Sequence, residues 1–298
     1  MDSCPRVAIV VLSWNGYEVT RDCLKSLSQI DYRNYQVILV DNGSTDESAA
    51  RLALEFPHLI VIRSPQNLGY SGGNNLGIRY ALEKDDSYVL LLNNDTLVAT
   101  DFLTQLIQAA ENDAPVGVLN PKILYADAPD RIWCAGGTFN LWCGLASAVG
   151  NRRRDNGRYD RQAEVTFATG CALLIKTAVV KQIGLLDERF FLYCEDVDWS
   201  YRALRAGFKV LYVPSSVVWH KDSYTVKNSF GKAGRDFYNV RNTILLARKH
   251  ARAYHWPTVL LSLCMMVGYR TAGYFLRGEF PRIKALFQGI RAGCNDLS

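Results

Sequence analysis

The chain has 298 residues, 49% of them apolar and 21% charged, which suits a large α/β domain with an appendage and excludes a disordered or low-complexity chain. Its formal charge of +5 is uneven: from Lys221 onward there are 13 basic and 4 acidic residues, a net +9, against 21 basic and 25 acidic before it, a net −4. A basic segment on a slightly acidic body points to an anionic surface, and its aromatic and aliphatic content favours a membrane over nucleic acid.

The first apolar run, Val7–Leu12, is short for the core of a signal peptide and reads as a strand ending at Ser13-Trp14-Asn15-Gly16. The eight cysteines form no Cys-x-x-Cys pair and no His–Cys metal spacing, so they read as reduced thiols in a cytosolic compartment. A helix follows with Val19, Cys23, Leu24 and Leu27 on one face. Tyr35–Val40 is a second strand, ending at Asp41-Asn42-Gly43, and Ser44 to Glu47 has the capping-box spacing that opens a helix to about Phe56. Leu59–Ile62 is a third strand, Pro65–Gly73 reads as a loop rich in Asn and Gly, and Asn74–Leu82 as a helix. Tyr88–Leu92 has the continuous apolar character of a strand buried on both faces and stops at Asn93-Asn94-Asp95. A helix then begins near Asp101, with Phe102, Leu103, Leu106, Ile107 and Ala110 on one side.

This alternation predicts a mostly parallel, doubly wound α/β sheet, whose ligands bind at the carboxyl ends of the strands. Ser13, Asn15, Asp41 and Asp95 would form a convergent polar rim there. A lone Asp flanked by amides suits a hard divalent cation that takes its other oxygens from substrate phosphates. The alternative is that Asp95-Thr96 only turns the chain. A dinucleotide fingerprint would need Gly-x-Gly-x-x-Gly after the first strand, where a single Gly16 stands, and no phosphate loop ends in Lys-Ser/Thr.

After Gly117 the alternation loosens into short strands and turns, including a charged turn at Arg152-Arg153-Arg154. Glu195-Asp196-Val197-Asp198-Trp199 follows an aromatic run and opens a helix that ends at Gly207. Acids in a first helical turn complement the helix dipole, and a carboxylate beside aromatic walls is also a candidate general base with a raised pKa. Val210–Val213 and Val217–His220 read as strands, the latter ending in a histidine placed to reach a metal or phosphate. The tail starts with a helix at Asp236–His250. Trp256–Tyr269 is then almost wholly apolar until Arg270, which leaves it short of an uncharged span. With eight basic residues around it, the expectation is an amphipathic helix at a membrane interface, with packing on the main domain or on a second subunit as the alternative.

Several motifs occur together in order: Asp41-Asn42-Gly43-Ser44-Thr45-Asp46, Asn67-Leu68-Gly69-Tyr70-Ser71-Gly72-Gly73-Asn74, Asn93-Asn94-Asp95, Gly184 to Phe191, Glu195-Asp196-Val197-Asp198, and Tyr238-Asn239-Val240-Arg241-Asn242. The series resembles the inverting family 2 glycosyltransferases of the GT-A fold, in particular their rhamnosyltransferase-like branch, over roughly residues 5 to 250. The resemblance implies a Rossmann-like, nucleotide-diphospho-sugar transferase fold with a C-terminal helical tail. It implies a glycosyltransferase domain over 1–235, split near 115 into nucleotide and acceptor halves, and a basic tail over 236–298.

For the site, the resemblance implies that Asp41 holds the nucleobase with Ser13, Trp14 and Asn15 lining its pocket, and that Asn67 and Gly69 lie near the nucleoside. Asn93-Asn94-Asp95 would replace the family's Asp-x-Asp, with Asn94 on the substrate side and Asp95 on Mg2+ or Mn2+. The first Asp of that motif is Asn93 here, which implies weaker metal binding. Asp196 would be the base, with Glu195 and Asp198 as its alternates and Trp199 beside the substrate. His220 would approach the diphosphate or metal. The implied donor is deoxythymidine-diphosphate rhamnose, with a uridine-diphosphate hexose as rival, and the acceptor a saccharide or lipid-linked saccharide in cell-surface polysaccharide assembly. The Gln-x-x-Arg-Trp signature of processive synthases is absent, pointing to single-sugar transfer. Together these imply a cytoplasmic enzyme on the inner face of the cell membrane, with a homodimer as an option and no nucleic-acid partner. A sugar-nucleotidyltransferase and a catalytically silent nucleotide-sugar module are the competing readings. The first lacks its early phosphate loop, and the second is opposed by the presence of Asp95 and Asp196.

Overall fold

The computed structural model describes residues 4–221 and 231–295, so the expected domain limits at 1 and 298, and part of the stretch before 235, lie outside the described residues. The strands are β1 (Val7–Ser13), β2 (Tyr35–Asp41), β3 (Ile60–Arg63), β4 (Tyr88–Asn93), β5 (Thr96–Val98), β6 (Val116–Tyr125), β7 (Ile132–Cys134), β8 (Gly137–Asn140), β9 (Leu145–Ala148), β10 (Ala163–Val165), β11 (Ala172–Lys176) and β12 (Lys209–His220). The helices are α1 (Tyr17–Leu27), α2 (Ser48–Glu55), α3 (Gly69–Glu83), α4 (Phe102–Asn112), α5 (Thr177–Ile183) and α6 (Glu195–Arg205). They continue with α7 (Gly231–His250), α8 (Trp256–Leu276) and α9 (Phe280–Asn295).

The chain divides into two compact units. The first is built on a mixed sheet whose main path runs β10-β12-β6-β11-β4-β1-β2-β3. β3, β2, β1 and β4 are parallel, as the alternation requires, and β6 and β12 are parallel to each other. Antiparallel β11 sits between β4 and β6. Alternate residues explain why the sheet is covered on both sides: Val7, Ile9, Val11, Tyr88, Leu90 and Leu92 enter one core cluster. Ala8, Val10, Val89 and Leu91 enter the other. Burying one such side chain contributes about 1.5–3 kcal/mol.

Three local expectations change. α3 starts at Gly69, inside the stretch expected as a loop, because its glycines let the helix lie against β1: a Cβ on Gly77 would stand 2.5 Å from Val10 Cγ1, and one on Gly73 would overlap Leu12. α2 starts at Ser48 without the expected capping box, since Ser44 and Thr45 are engaged by Asn15 instead. The two strands expected before His220 are one strand, β12, bulged between Val213 and Val217.

The second unit comprises 139–147, 192–194 and the C-terminal helices. Its core joins Val240, Ile244 and Ala247 of α7 to Val259, Leu263 and Tyr274 of α8 and Leu286 of α9. Buried Asp236 braces the three helices, accepting from Tyr274 Oη at 2.9 Å and from Arg282 Nε at 2.7 Å, with Arg270 at 3.7 Å. Residues Ala253–Leu276 are long and apolar enough to cross a membrane by length and composition.

Candidate active site

The carboxyl ends of β1, β2 and β4 are tied together by short polar side chains. At the end of β1, the Ser13 and Thr20 hydroxyls lie 3.0 Å apart, and Asn94 Nδ2 donates to Thr20 Oγ1 at 2.8 Å. Half-buried Trp14 precedes Asn15, which adopts φ +47° and bridges β1 to β2. Its N–H donates to Ser44 Oγ at 3.0 Å, and its Oδ1 accepts the Thr45 N–H at 2.8 Å. Asp41 Oδ1 accepts the Ser44 N–H at 3.0 Å, which fixes its carboxylate at the end of β2.

Asn67 Oδ1 accepts the Gly69 N–H at 2.8 Å and Asn42 Nδ2 at 3.1 Å. Gly69 needs its glycine: φ is +72°, and any Cβ would overlap the Phe191 carbonyl. The same segment anchors the chain leading to the second acidic cluster, through Tyr70 N–H to Phe191 O at 2.7 Å and Ser71 Oγ to Phe190 O at 2.6 Å.

Asp95 occupies the turn between β4 and β5. Because β5 pairs antiparallel with the end of β12, Thr96 faces His220, and the Lys221 N–H donates to the Asp95 carbonyl at 2.8 Å. The side chains of Asp95 and His220 therefore meet, Oδ1 to Nε2 at 3.1 Å, both nearly fully buried. Trp133 packs edge-on against the His220 ring with centroids 4.6 Å apart. His220 Nδ1 is buried without a hydrogen-bond partner. Among the described residues no cluster of three or more His, Cys, Asp or Glu forms a protein-only metal cage. One carboxylate and one imidazole do suit a cation that draws its remaining ligands from a diphosphate.

Asp196 is bonded just before the start of β11. Its Oδ2 accepts the Gly170 N–H and its Oδ1 the Val197 N–H, both at 2.8 Å. The next residue, Cys171, accepts the Asn93 N–H through its carbonyl at 2.9 Å. The two acids thus flank one junction between β4 and the start of β11. Burial pushes the Cys171 thiol well up, and the charge of Asp95 adds to the rise. Burial also raises the Asp196 carboxyl, and backbone N–H groups offset part of that rise. Glu195 is raised further, by burial and then by Asp196, and its Oε2 has no hydrogen-bond partner. Tyr193 and Cys194, just before this helix, hold φ +72° and +69°, an uncommon pair of left-handed non-glycine residues. Asn242 Nδ2 braces them by donating to the Leu192 and Tyr193 carbonyls at 2.7 and 2.9 Å.

Asp198 and Trp199 do not join the site expected of them. Two residues along a helix point to nearly opposite sides, so Asp198 is fully buried and paired with Arg202 Nε at 2.9 Å. Trp199 is a core residue, its Nε1 donating to the Gly184 carbonyl at 2.8 Å. Conversely, Thr20 and Gly170 take part without having been singled out, and Asn42 and Tyr70 stood in their motifs without a role of their own. Thr20 on the apolar face of α1 was a signal, because a hydroxyl there needs a polar partner. Tyr70 belonged to a motif, but its bond, Oη donating to the Gly170 carbonyl at 2.5 Å, joins residues too far apart in the sequence to leave a local sign.

The profile of the family described as glycosyltransferase like family 2 matches residues 5–239. A low-salt glycan biosynthesis hexosyltransferase, Agl10 of Haloferax volcanii, is 28% identical over 207 residues, covering 68% of this chain but 63% of the relative, just under two thirds of its length. The N-acetylglucosaminyl-diphospho-decaprenol L-rhamnosyltransferase of Mycobacterium tuberculosis is 28% identical over 257 residues, 78% of this chain and 81% of the relative. In structure, the mannosyltransferase PcManGT of Pyrobaculum calidifontis, solved with GDP-Man and Mn2+, superposes with a TM-score of 0.62 at 15% identity, over 100% of this chain and 89% of that one. That likeness is one of fold.

Proposed function

The chain belongs to glycosyltransferase like family 2 with the GT-A fold, and from that premise we propose that it is an inverting, metal-dependent enzyme moving one rhamnose from a nucleoside diphosphate to an acceptor hydroxyl. The observation that carries this reading is that Asp95 follows the end of β4 while Asp196 holds the Gly170 N–H just before β11, the strand paired with β4. The rhamnosyltransferase name of the mycobacterial relative supports the sugar, and its decaprenol-linked acceptor supports a lipid-linked saccharide here.

In this mechanism Asp41, Ser13, Trp14, Asn15, Asn67 and Gly69 hold the nucleoside, and Asn94 keeps the end of β4 in register with α1. Asp95 and His220 would hold Mg2+ or Mn2+, which when bound offsets the charge that collects on the leaving diphosphate. Asp196 is the base. Its two backbone hydrogen bonds set the carboxylate's direction and leave acceptor capacity for an incoming hydroxyl. As the hydroxyl oxygen bonds to the anomeric carbon, its proton passes to Asp196. The bond to the diphosphate breaks, and its electron pair leaves with the nucleoside diphosphate. Attack opposite the leaving group inverts the anomeric carbon without a covalent intermediate. Burial, and then the neighbouring Asp196 charge, raise the Glu195 carboxyl above the ordinary glutamate range.

The test is transfer from deoxythymidine-diphosphate rhamnose and from uridine-diphosphate hexoses in the presence of Mn2+, read as nucleoside diphosphate release. Asp196→Asn should lower turnover at least about 10²–10⁴-fold while calorimetry shows donor binding retained. Parental turnover in that variant would remove Asp196 from the role, and no release from any sugar nucleotide would remove the enzymatic reading.

A further inference from the structure

α8 wears its apolar residues on the outside. Leu260, Leu261, Met265, Tyr269, Phe275 and Leu276 are all more than half exposed, and their spacing follows one side of a helix for about 24 Å. The exposed positions between them, Cys264, Gly268 and Ala272, are uncharged. Its opposite side is spoken for, with Val259, Leu263 and Tyr274 packed against α7 and α9. Arg270, the residue that interrupts the apolar run in sequence, is the single charged residue of α8 and lies 3.7 Å from buried Asp236. The stripe is therefore free of charge along its length.

Its surroundings differ. At one end, exposed Trp142 and Tyr254 face each other with ring centroids 5.6 Å apart, and Thr258 Oγ1 donates to the Trp142 carbonyl at 2.5 Å. At the other end, Phe275 meets exposed Phe280. Arg252 shortly before α8, Arg277 at its C-cap, and Lys284 and Arg291 on α9 are all exposed. Residues 231–295 hold eleven basic and two acidic residues, a net +9.

We infer that the stripe on α8 docks this unit on a bilayer surface that carries anionic lipid. Charge selects the occupant: a second copy would set one strongly basic surface against another, whereas acidic headgroups complement it. Aromatic residues at the end of an apolar stripe belong at headgroup depth. The helix lies in the plane of the interface and does not cross, because the side away from the stripe is bonded to α7 through the Asp236 network and α7 carries Lys232, Arg235 and Arg241. The inference stands apart from the sugar chemistry, since none of these residues is in the donor site.

The experiment is flotation of the full chain with vesicles of phosphatidylcholine alone or mixed equally with phosphatidylglycerol. The chain should float with the mixed vesicles, more weakly at high salt, and Leu261→Glu with Tyr269→Glu should weaken binding at least about tenfold. Both positions are exposed, and an unchanged melting temperature and unchanged nucleoside diphosphate release without vesicles establish that the variant is folded. Arg277→Glu with Lys284→Glu should reduce binding to the mixed vesicles by a different route and serves as the second variant. Failure of the parent to float with either vesicle overturns the inference, as does a folded double-Glu variant that floats like the parent. A dimer in sedimentation that those substitutions convert to monomer, with no flotation, would assign the stripe to a second copy and likewise overturn it. Loss of sugar transfer in the parent with flotation intact would count against the enzymatic reading alone.

Discussion

Asp196 is a carboxylate that burial disfavours and two backbone N–H groups partly rescue, the balance leaving its pKa above that of an ordinary aspartate. The sign of its effect on rate follows directly. In its proposed role as base Asp196 works ionised, and a raised pKa means the proton returns at a higher pH. The rate of transfer should therefore fall, as pH drops, through a value above the ordinary aspartate pKa of about 3.9. A pH profile of kcat/KM reads this limb, and a rate that stays level down to that ordinary value would place the base elsewhere. Asp95 makes its contribution by position, since its partner His220 arrives from a strand 125 residues away.

At the scale of elements, α3 lies closer to β1 than a side chain would allow, which sets the segment proposed to hold the donor. Gly77 sits where an added methyl would meet Val10 Cγ1 at 2.5 Å. Gly77→Ala gains about 1 kcal/mol of helix propensity, but overpacking a close helix–sheet contact costs about 1–3 kcal/mol. The expected net effect is a lower melting temperature, checked by calorimetry against Gly268→Ala, where no atom lies within 4 Å of the added Cβ and propensity alone should act. Equal responses at the two positions would contradict the packing account. The turn at Tyr193-Cys194 shows the same division of labour: its backbone is unfavourable locally and is held by Asn242, a fully buried residue of α7.

At the scale of the whole molecule, the C-terminal unit has a hydrophobic core of its own, built from Val240, Ile244, Ala247, Val259, Leu263, Tyr274 and Leu286. Asp236 has its side chain 4% exposed and is surrounded by Arg270, Arg282 and Tyr274. Removing one partner of a buried pair costs about 3–5 kcal/mol, an upper figure here because both arginines keep some contact with water. Asp236→Leu should therefore lower the melting temperature of the C-terminal helices while leaving donor affinity unchanged, because the side chains proposed to hold the donor all belong to the first unit. Calorimetric melting and donor titration on the same variant check this, and a parallel loss of donor affinity would show that the units do not act separately.

Much of this was legible in the sequence because it is local. Period-two and near-continuous apolar runs set β1, β2 and β4, and a polar residue that stops such a run stands at the strand end, so Ser13, Asp41 and Asp95 could be assigned to one rim. The charge asymmetry and the apolar run of the tail were equally visible. What only the tertiary structure decided was partnership. No local pattern says that β11 enters antiparallel between β4 and β6, that Asp196 lands on Gly170 while Asp198 turns inward to Arg202, or that Arg270 is paired with Asp236 and so leaves an uncharged stripe. Periodicity is a property of neighbours along the chain, whereas register, pairing and the neutralisation of a buried charge depend on residues that meet only after the chain has closed on itself.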